Sequence, residues 1–161
     1  MPFTSAGAAG NYQLKFRHTH TDEHLDVVFR DSRGYIGPAI ARMNWLLRDF
    51  RTNEMISIDP QLFDMLYALS LTCGGKIFEI ISAYRSPVTN SMLHKAGGNG
   101  VATHSLHMDG RAIDLRMVGV DTARLRDAAV NVGLGGVGFY PESDFLHVDT
   151  GKVRSWGPLT G

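Results

Sequence analysis

"HSLHMDGRAIDL", residues 104–115, decides how this chain folds. With the two residues that follow, its second half reads as the strand "RAIDLRM" (111–117), whose side chains alternate, so Ala112 and Asp114 share one face and Ile113 and Leu115 the other. The Ile/Leu face is core. The opposite face carries a small residue and a charge, which suits the floor of a site and not packing. A carboxylate inside a buried strand is costly unless something cationic compensates it. Asp109-Gly110 precede the strand, and the glycine allows a tight reversal that brings His107 back over Asp114.

The terminal segment "FLHVDT" (145–150) repeats the pattern: Leu146 and Val148 point one way, Phe145, His147 and Asp149 the other. Two neighbouring strands then offer imidazole, carboxylate and imidazole on one face. Three such ligands plus a water make a catalytic zinc site with an open position, and the ion supplies the charge Asp114 needs. The competing readings are a hydrogen-bonded His–Asp pair without metal and a satisfied core histidine at 147.

Working outward, "YQLKFRH" (12–18) and "HLDVVFR" (24–30) predict a hairpin closed by "THTDE". Gly37-Pro38 punctuates the chain before "AIARMNWLLRDF" (39–50), which has helical spacing. A second helix opens at Ser57 or Asp59 with Pro60 as first residue and ends at Cys73 before Gly74-Gly75. "KIFEIISAY" (76–84) is the clearest strand and delivers Arg85-Ser86-Pro87 at its end. A short helix (88–96), the loop "GGNG" (97–100), a helix capped by Asp121 (to 133) and strands over 135–140 and 145–151 complete the order. Helices early and strands late indicate an α+β fold with a mainly antiparallel sheet. Residues 1–11, of small residues and without a charged or apolar signal region, read as a flexible leader, and 12–161 as a single domain.

Composition narrows the function classes. Sixteen Lys and Arg balance sixteen Asp and Glu, which argues against a nucleic-acid binder. No stretch reaches the ~18 apolar residues of a membrane span. The single cysteine, Cys73, cannot form an intramolecular disulfide and reads as a small buried side chain. His18, His20 and His24 read as a solvated turn; Tyr84 and Tyr140 read as core, with cleft walls as the alternative.

Ser105, His107, Gly110, Ala112, Asp114 and Leu115 meet the pattern S-x-H-x-x-G-x-A-x-D-L, which resembles the zinc motif of the LAS-type peptidases (lysostaphin, D-Ala-D-Ala carboxypeptidases, hedgehog). "SAYRS" (82–86) resembles the arginine segment of the carboxypeptidase branch. From about residue 12 onward, "IARMNWLLRDFRTNE", "AYRSPVTNSML", "HSLHMDGRAIDLR", "GGVGFYP" and "FLHVDTGKVRSW" are together similar to the YcbK-like murein endopeptidases.

That resemblance implies a hedgehog/DD-peptidase-like fold, with helices packed on one side of the sheet. It implies a periplasmic or cell-wall peptidase holding one Zn2+ through His107, Asp114 and His147, and acting on peptidoglycan stem peptides, with an L,D bond between two diaminopimelate residues as substrate. Arg85 would polarise the substrate carbonyl or hold a carboxylate. Some relatives have a catalytic histidine where Phe145 stands; others have an acid at the position of Asp144. The base therefore lies between Asp144, favoured by resemblance, and Asp149, which can instead orient His147. His104 can donate to substrate or bond to backbone. A carboxypeptidase acting on stem peptides, or a binding module that keeps zinc without hydrolysis, are the alternative functions.

Overall fold

The computed structural model describes residues 10–97 and 102–158. The expected leader falls almost wholly, and the "GGNG" loop largely, outside them. The strands are β1 (Tyr12–His18), β2 (His24–Asp31), β3 (Gly34–Tyr35), β4 (Phe78–Ser82), β5 (Ala112–Met117), β6 (Gly136–Tyr140), β7 (Phe145–Asp149) and β8 (Arg154–Trp156). They form one sheet in the order β3-β2-β1-β4-β5-β7-β6-β8. Most pairs are antiparallel, as expected; β1–β4 and β6–β8 are parallel.

The helices are α1 (Gly37–Leu46), α2 (Pro60–Cys73), α3 (Pro87–Lys95) and α4 (Thr122–Val132). Each begins where local chemistry allows. Pro60 sits in the first turn of α2, with Asp59 accepting from the Gln61 N–H, and Asp121 caps α4 by accepting from Ala123. Gly74 ends α2 in the left-handed conformation at φ 91°. Strands alternate buried and half-exposed residues over β1 and β2, but β5 and β6, each paired on both sides and packed beneath α4, are buried almost throughout. One apolar cluster runs from Leu14, Phe16 and Phe29 through Leu62, Phe63 and Leu66 to Ile113, Leu115, Leu146 and Val148. Cys73 is buried within it.

Two expectations are corrected here. The first helix ends at Leu46 instead of running to Phe50. Asp49 is the reason: it is fully buried, and its carboxylate accepts from the N–H groups of Arg51 (2.9 Å) and Ser86 (2.9 Å), so the chain leaves the helix to reach them. Hydrogen bonds from Thr89 and Ser86 and from these backbone groups overcome burial and hold the Asp49 carboxyl below its usual range.

The second concerns His18, which is buried and not solvated. Its Nδ1 accepts from the His20 N–H, its Nε2 has no hydrogen-bond partner, and its ring meets Phe50 edge-on at 5.4 Å. Burial, with His20 and Arg48 nearby and opposed by Glu23, lowers its pKa to about 4 from 6.5. The unfolded chain therefore takes up a proton below pH 6.5 that the folded chain refuses until about pH 4. Stability from this group is complete above pH 6.5 and drains away as pH falls through that window, by on the order of 2 kcal/mol. In His18→Asn, whose amide oxygen can replace Nδ1, the loss of stability between pH 7 and pH 4.5 in chemical denaturation is expected to shrink by about that amount.

Candidate metal centre

The site is built from four pieces of chain that the sheet brings together. In β5 and β7, Asp114 stands directly opposite His147, and on its other side Asp114 faces Ser82 of β4. A 3₁₀ turn over Leu106–Asp109 returns His107 over this row. Gly110 closes the turn at φ 67°, and any side chain there would press into the backbone of Ser57; two residues on, Asp59 donates its N–H to the Gly110 carbonyl. The proposed reversal between His107 and Asp114 is thus the one observed.

Among the described residues, His107, Asp114 and His147 are the group of metal-ligating side chains whose donor atoms lie within 4.8 Å of one another. Asp114 Oδ1 is 3.2 Å from His107 Nε2 and 2.9 Å from His147 Nδ1. The outer ring nitrogens are held from outside. His107 Nδ1 lies 2.7 Å from the Ala83 carbonyl and must donate to it, which leaves Nε2 turned to Asp114. His147 Nε2 lies 2.8 Å from Asp149 Oδ2, which leaves Nδ1 turned to Asp114. Both inner nitrogens thus face the Asp114 oxygen, donating to it when protonated and free to ligate a metal when not, and each outer nitrogen is held by an acceptor, as in metal-bound histidines.

The electrostatics agree. Burial pushes the Asp114 carboxyl up, but the His107 charge and hydrogen bonds from His107 and His147 outweigh it and hold the group well below the usual carboxylate range. Burial lowers the His147 pKa, but Asp114 and Asp149 overcome it and push it up to about 9. Two acids around one imidazole demand positive charge at this point. A divalent cation meets that demand with the N, N, O donor set present, so the residues fit a bound metal.

The cleft above the three ligands encloses about 310 Å³. Arg85 lies on its wall, its backbone N–H bonded to the His107 carbonyl at 3.1 Å. The guanidinium is mostly buried, which lowers its pKa against the attraction of Asp114. Nη1 donates to Asn90 Oδ1 (3.2 Å), while Nε has no partner. A buried N–H without an acceptor beside a cleft marks where a ligand oxygen belongs.

The two candidate bases fare differently. Asp144 lies apart from the cleft lining: it sits in the turn before β7 in the left-handed conformation (φ 52°) and accepts from the Thr122 hydroxyl (2.6 Å) at the start of α4. Asp149 lines the cleft but is fully engaged. Oδ1 accepts from the N–H groups of Gly136 (3.1 Å) and Gly151 (2.9 Å), and Arg154 grips both oxygens at 3.0 and 2.8 Å. Hydrogen bonds from His147, Arg154 and Gly151 outweigh burial and hold its carboxyl well below the usual range, so it is an anchor for His147 and a poor proton acceptor. His104 lines the cleft with Nε2 on the Asp109 carboxylate at 3.0 Å. Tyr140 also lines it, whereas Tyr84 packs against the core. His18, His20 and His24 form no metal-binding group among the described residues.

Four residues of this neighbourhood escaped the reading of the sequence. Asp49 fixes Ser86 beside Arg85. Asn90 ties Arg85 to the carbonyls of Ala102 and Thr103 on the rim (3.0 and 3.1 Å). Arg154 and Trp156 arrive on β8. The available signal for the last pair is glycine at alternate positions 136 and 138 of β6, which leaves room for large side chains crossing it.

A mostly antiparallel sheet packed with helices and a His/Asp/His triad under an arginine-walled cleft define a metal-dependent peptidase of the hedgehog/DD-peptidase type. The chain belongs to the Peptidase_M15_2 family, described as peptidoglycan L,D-endopeptidase MepK, whose family model matches residues 6–156. It is 44% identical over 144 residues to the peptidoglycan L,D-endopeptidase MepK of Escherichia coli (strain K12), covering 89% of this chain and 79% of the relative. The probable peptidoglycan L,D-endopeptidase MepK of Haemophilus influenzae is 39% identical over 145 residues, covering 89% and 77%. No helix among the described residues is long and apolar enough to cross a membrane.

Proposed function

We propose that this chain is a zinc-dependent L,D-endopeptidase of the periplasm or cell wall, hydrolysing peptidoglycan crosslinks between diaminopimelate residues. The observation that carries this is the shared geometry of the two histidines: each is held by an acceptor at its outer nitrogen and aims the inner one at Asp114, in a chain of the MepK family. Zinc bound by His107 Nε2, Asp114 and His147 Nδ1 would supply Lewis-acid polarisation of a carbonyl and a water nucleophile near neutral pH. The rest is the work of the chain's own groups. Arg85 offers Nε to a carbonyl or carboxylate oxygen of the peptide. Asp149, clamped by Arg154, holds the His147 ring in place.

With Asp144 turned to α4 and Asp149 saturated, the proton falls to His104. Its Nε2 is oriented by Asp109, leaving Nδ1 to take the proton and pass it to the leaving amine. The test is digestion of purified crosslinked muropeptide dimers, read by mass, with and without a chelator. Splitting of L,D-linked dimers that stops on chelation and returns with zinc is the expected result. Dimers left intact by protein carrying one zinc per chain would overturn the enzyme reading, and release of a terminal residue from monomers alone would make it a carboxypeptidase. The same digest with His104→Gln is expected to run about 100-fold slower at unchanged zinc content.

A further inference from the structure

The last strand does more than close the sheet. β8 runs parallel to β6 with Arg154 beside Gly136 and Trp156 beside Gly138, and Gly138 in turn lies opposite His147. Trp156, Gly138, His147, Asp114 and Ser82 therefore form one row across five strands. A methyl group on Gly138 would overlap the Trp156 indole, so the missing side chain is what lets the indole lie across β6 toward the metal ligands, 5.2 Å from the His147 ring.

At the end of this row, Trp156 Nε1–H donates to the Tyr140 hydroxyl oxygen at 2.9 Å. The Tyr140 ring is held by stacking on Phe145, with centroids 4.6 Å apart and planes 13° from parallel. Tyr140 and Trp156 both line the cleft that holds the three ligands and Arg85. Because the phenol oxygen already accepts from the indole, its own hydrogen is directed away from Trp156. No acceptor within the described residues takes that hydrogen in the hydrogen bonds of the site.

We propose that the Tyr140 hydroxyl is a substrate-binding donor, taking a carbonyl or carboxylate oxygen of the stem peptide, and that Trp156 is the residue that positions it. The cleft then has donors on two walls: Arg85 at the end of β4 and Tyr140 at the end of β6, with the metal ligands between them. Carboxylate-rich diaminopimelate peptides match such a pair of donors. The proposal rests on the reading of this cleft as a peptidoglycan peptidase site.

Binding can be read without cleavage. The chain has two tryptophans, and Trp45 lies outside the cleft, its ring covered by the Arg48 guanidinium at 3.9 Å. Zinc-loaded Trp45→Phe protein therefore reports through Trp156 alone. The probe is the stem tripeptide ending in diaminopimelate, which has no bond between two diaminopimelate residues to cut. Its titration is expected to shift Trp156 emission. Tyr140→Phe, which keeps the stack on Phe145, should weaken the tripeptide about tenfold and raise KM for dimer cleavage similarly, with zinc content unchanged. Trp156→Phe, assayed by KM, should lose severalfold alone and nothing further in the Tyr140→Phe background, since it acts through Tyr140.

Tripeptide affinity and KM within twofold of wild type in Tyr140→Phe would overturn the donor role. Additive losses in the double variant would overturn the positioning role of Trp156. Failure of the underlying functional reading looks different: wild-type protein would then bind the tripeptide and leave the dimer uncut.

Discussion

Asp114→Asn is expected to strip the chain of stoichiometric zinc and to reduce dimer cleavage on the order of a thousandfold or more. Asp114 Oδ1 is the point on which a ring nitrogen of each histidine converges, and it supplies the only negative charge among the three proposed ligands. Asparagine preserves the shape of the side chain and its place opposite His147, but a neutral amide neither balances a dication nor outbids water for it. The metal-free fold need not suffer equally. Removing the acid also removes a desolvated charge from the middle of the sheet, and His147 keeps its bond to Asp149. Metal analysis and thermal unfolding on the same preparation separate the two effects. A folded variant with one zinc per chain and wild-type turnover would refute the ligand assignment.

The legibility of this site in the sequence follows from the periods of its elements. Asp114 and His147 could be placed because a strand alternates strictly, and a charge on the wrong side of an apolar strand stands out. His107 could be placed because Gly110 permits one local reversal, and α2 because Asp59-Pro60 and Gly74 mark its ends. Asp144, which resemblance favoured, lies outside β7 in a left-handed turn where strand alternation gives no guidance, and Thr122 claims its carboxylate. Long-range partners were not legible. Asp49 reads as the polar face of a helix until Ser86, thirty-seven residues on, claims its carboxylate. Strand β8 has three residues, too few for a period, and exists because β6 offers it glycines to lie on. His18 sits in a polar turn by sequence and under Phe50 in space.

The second large effect should come without loss of metal. Arg85→Lys is expected to lower kcat/KM for dimer cleavage by about 100-fold while zinc content stays at that of wild type. The Arg85 side chain lines the cleft and bonds to Asn90, and its buried Nε has no partner among the described residues. Its approach is rigid, since Asn90 is anchored to the Ala102 and Thr103 carbonyls, Ser86 to Asp49, and the Arg85 backbone to His107. That scaffold holds a planar fork at a set angle, and a lysine ammonium on a flexible stem satisfies Asn90 or the substrate oxygen but not both. Keeping the charge and losing the fork therefore isolates geometry from electrostatics. Arg85→Ala, which loses both, should fall further, and added guanidinium should restore part of its activity but none of that lost in Asp114→Asn. Comparable rates for Arg85→Lys and wild type at equal zinc occupancy would show that the arginine serves the fold of the rim and not the substrate.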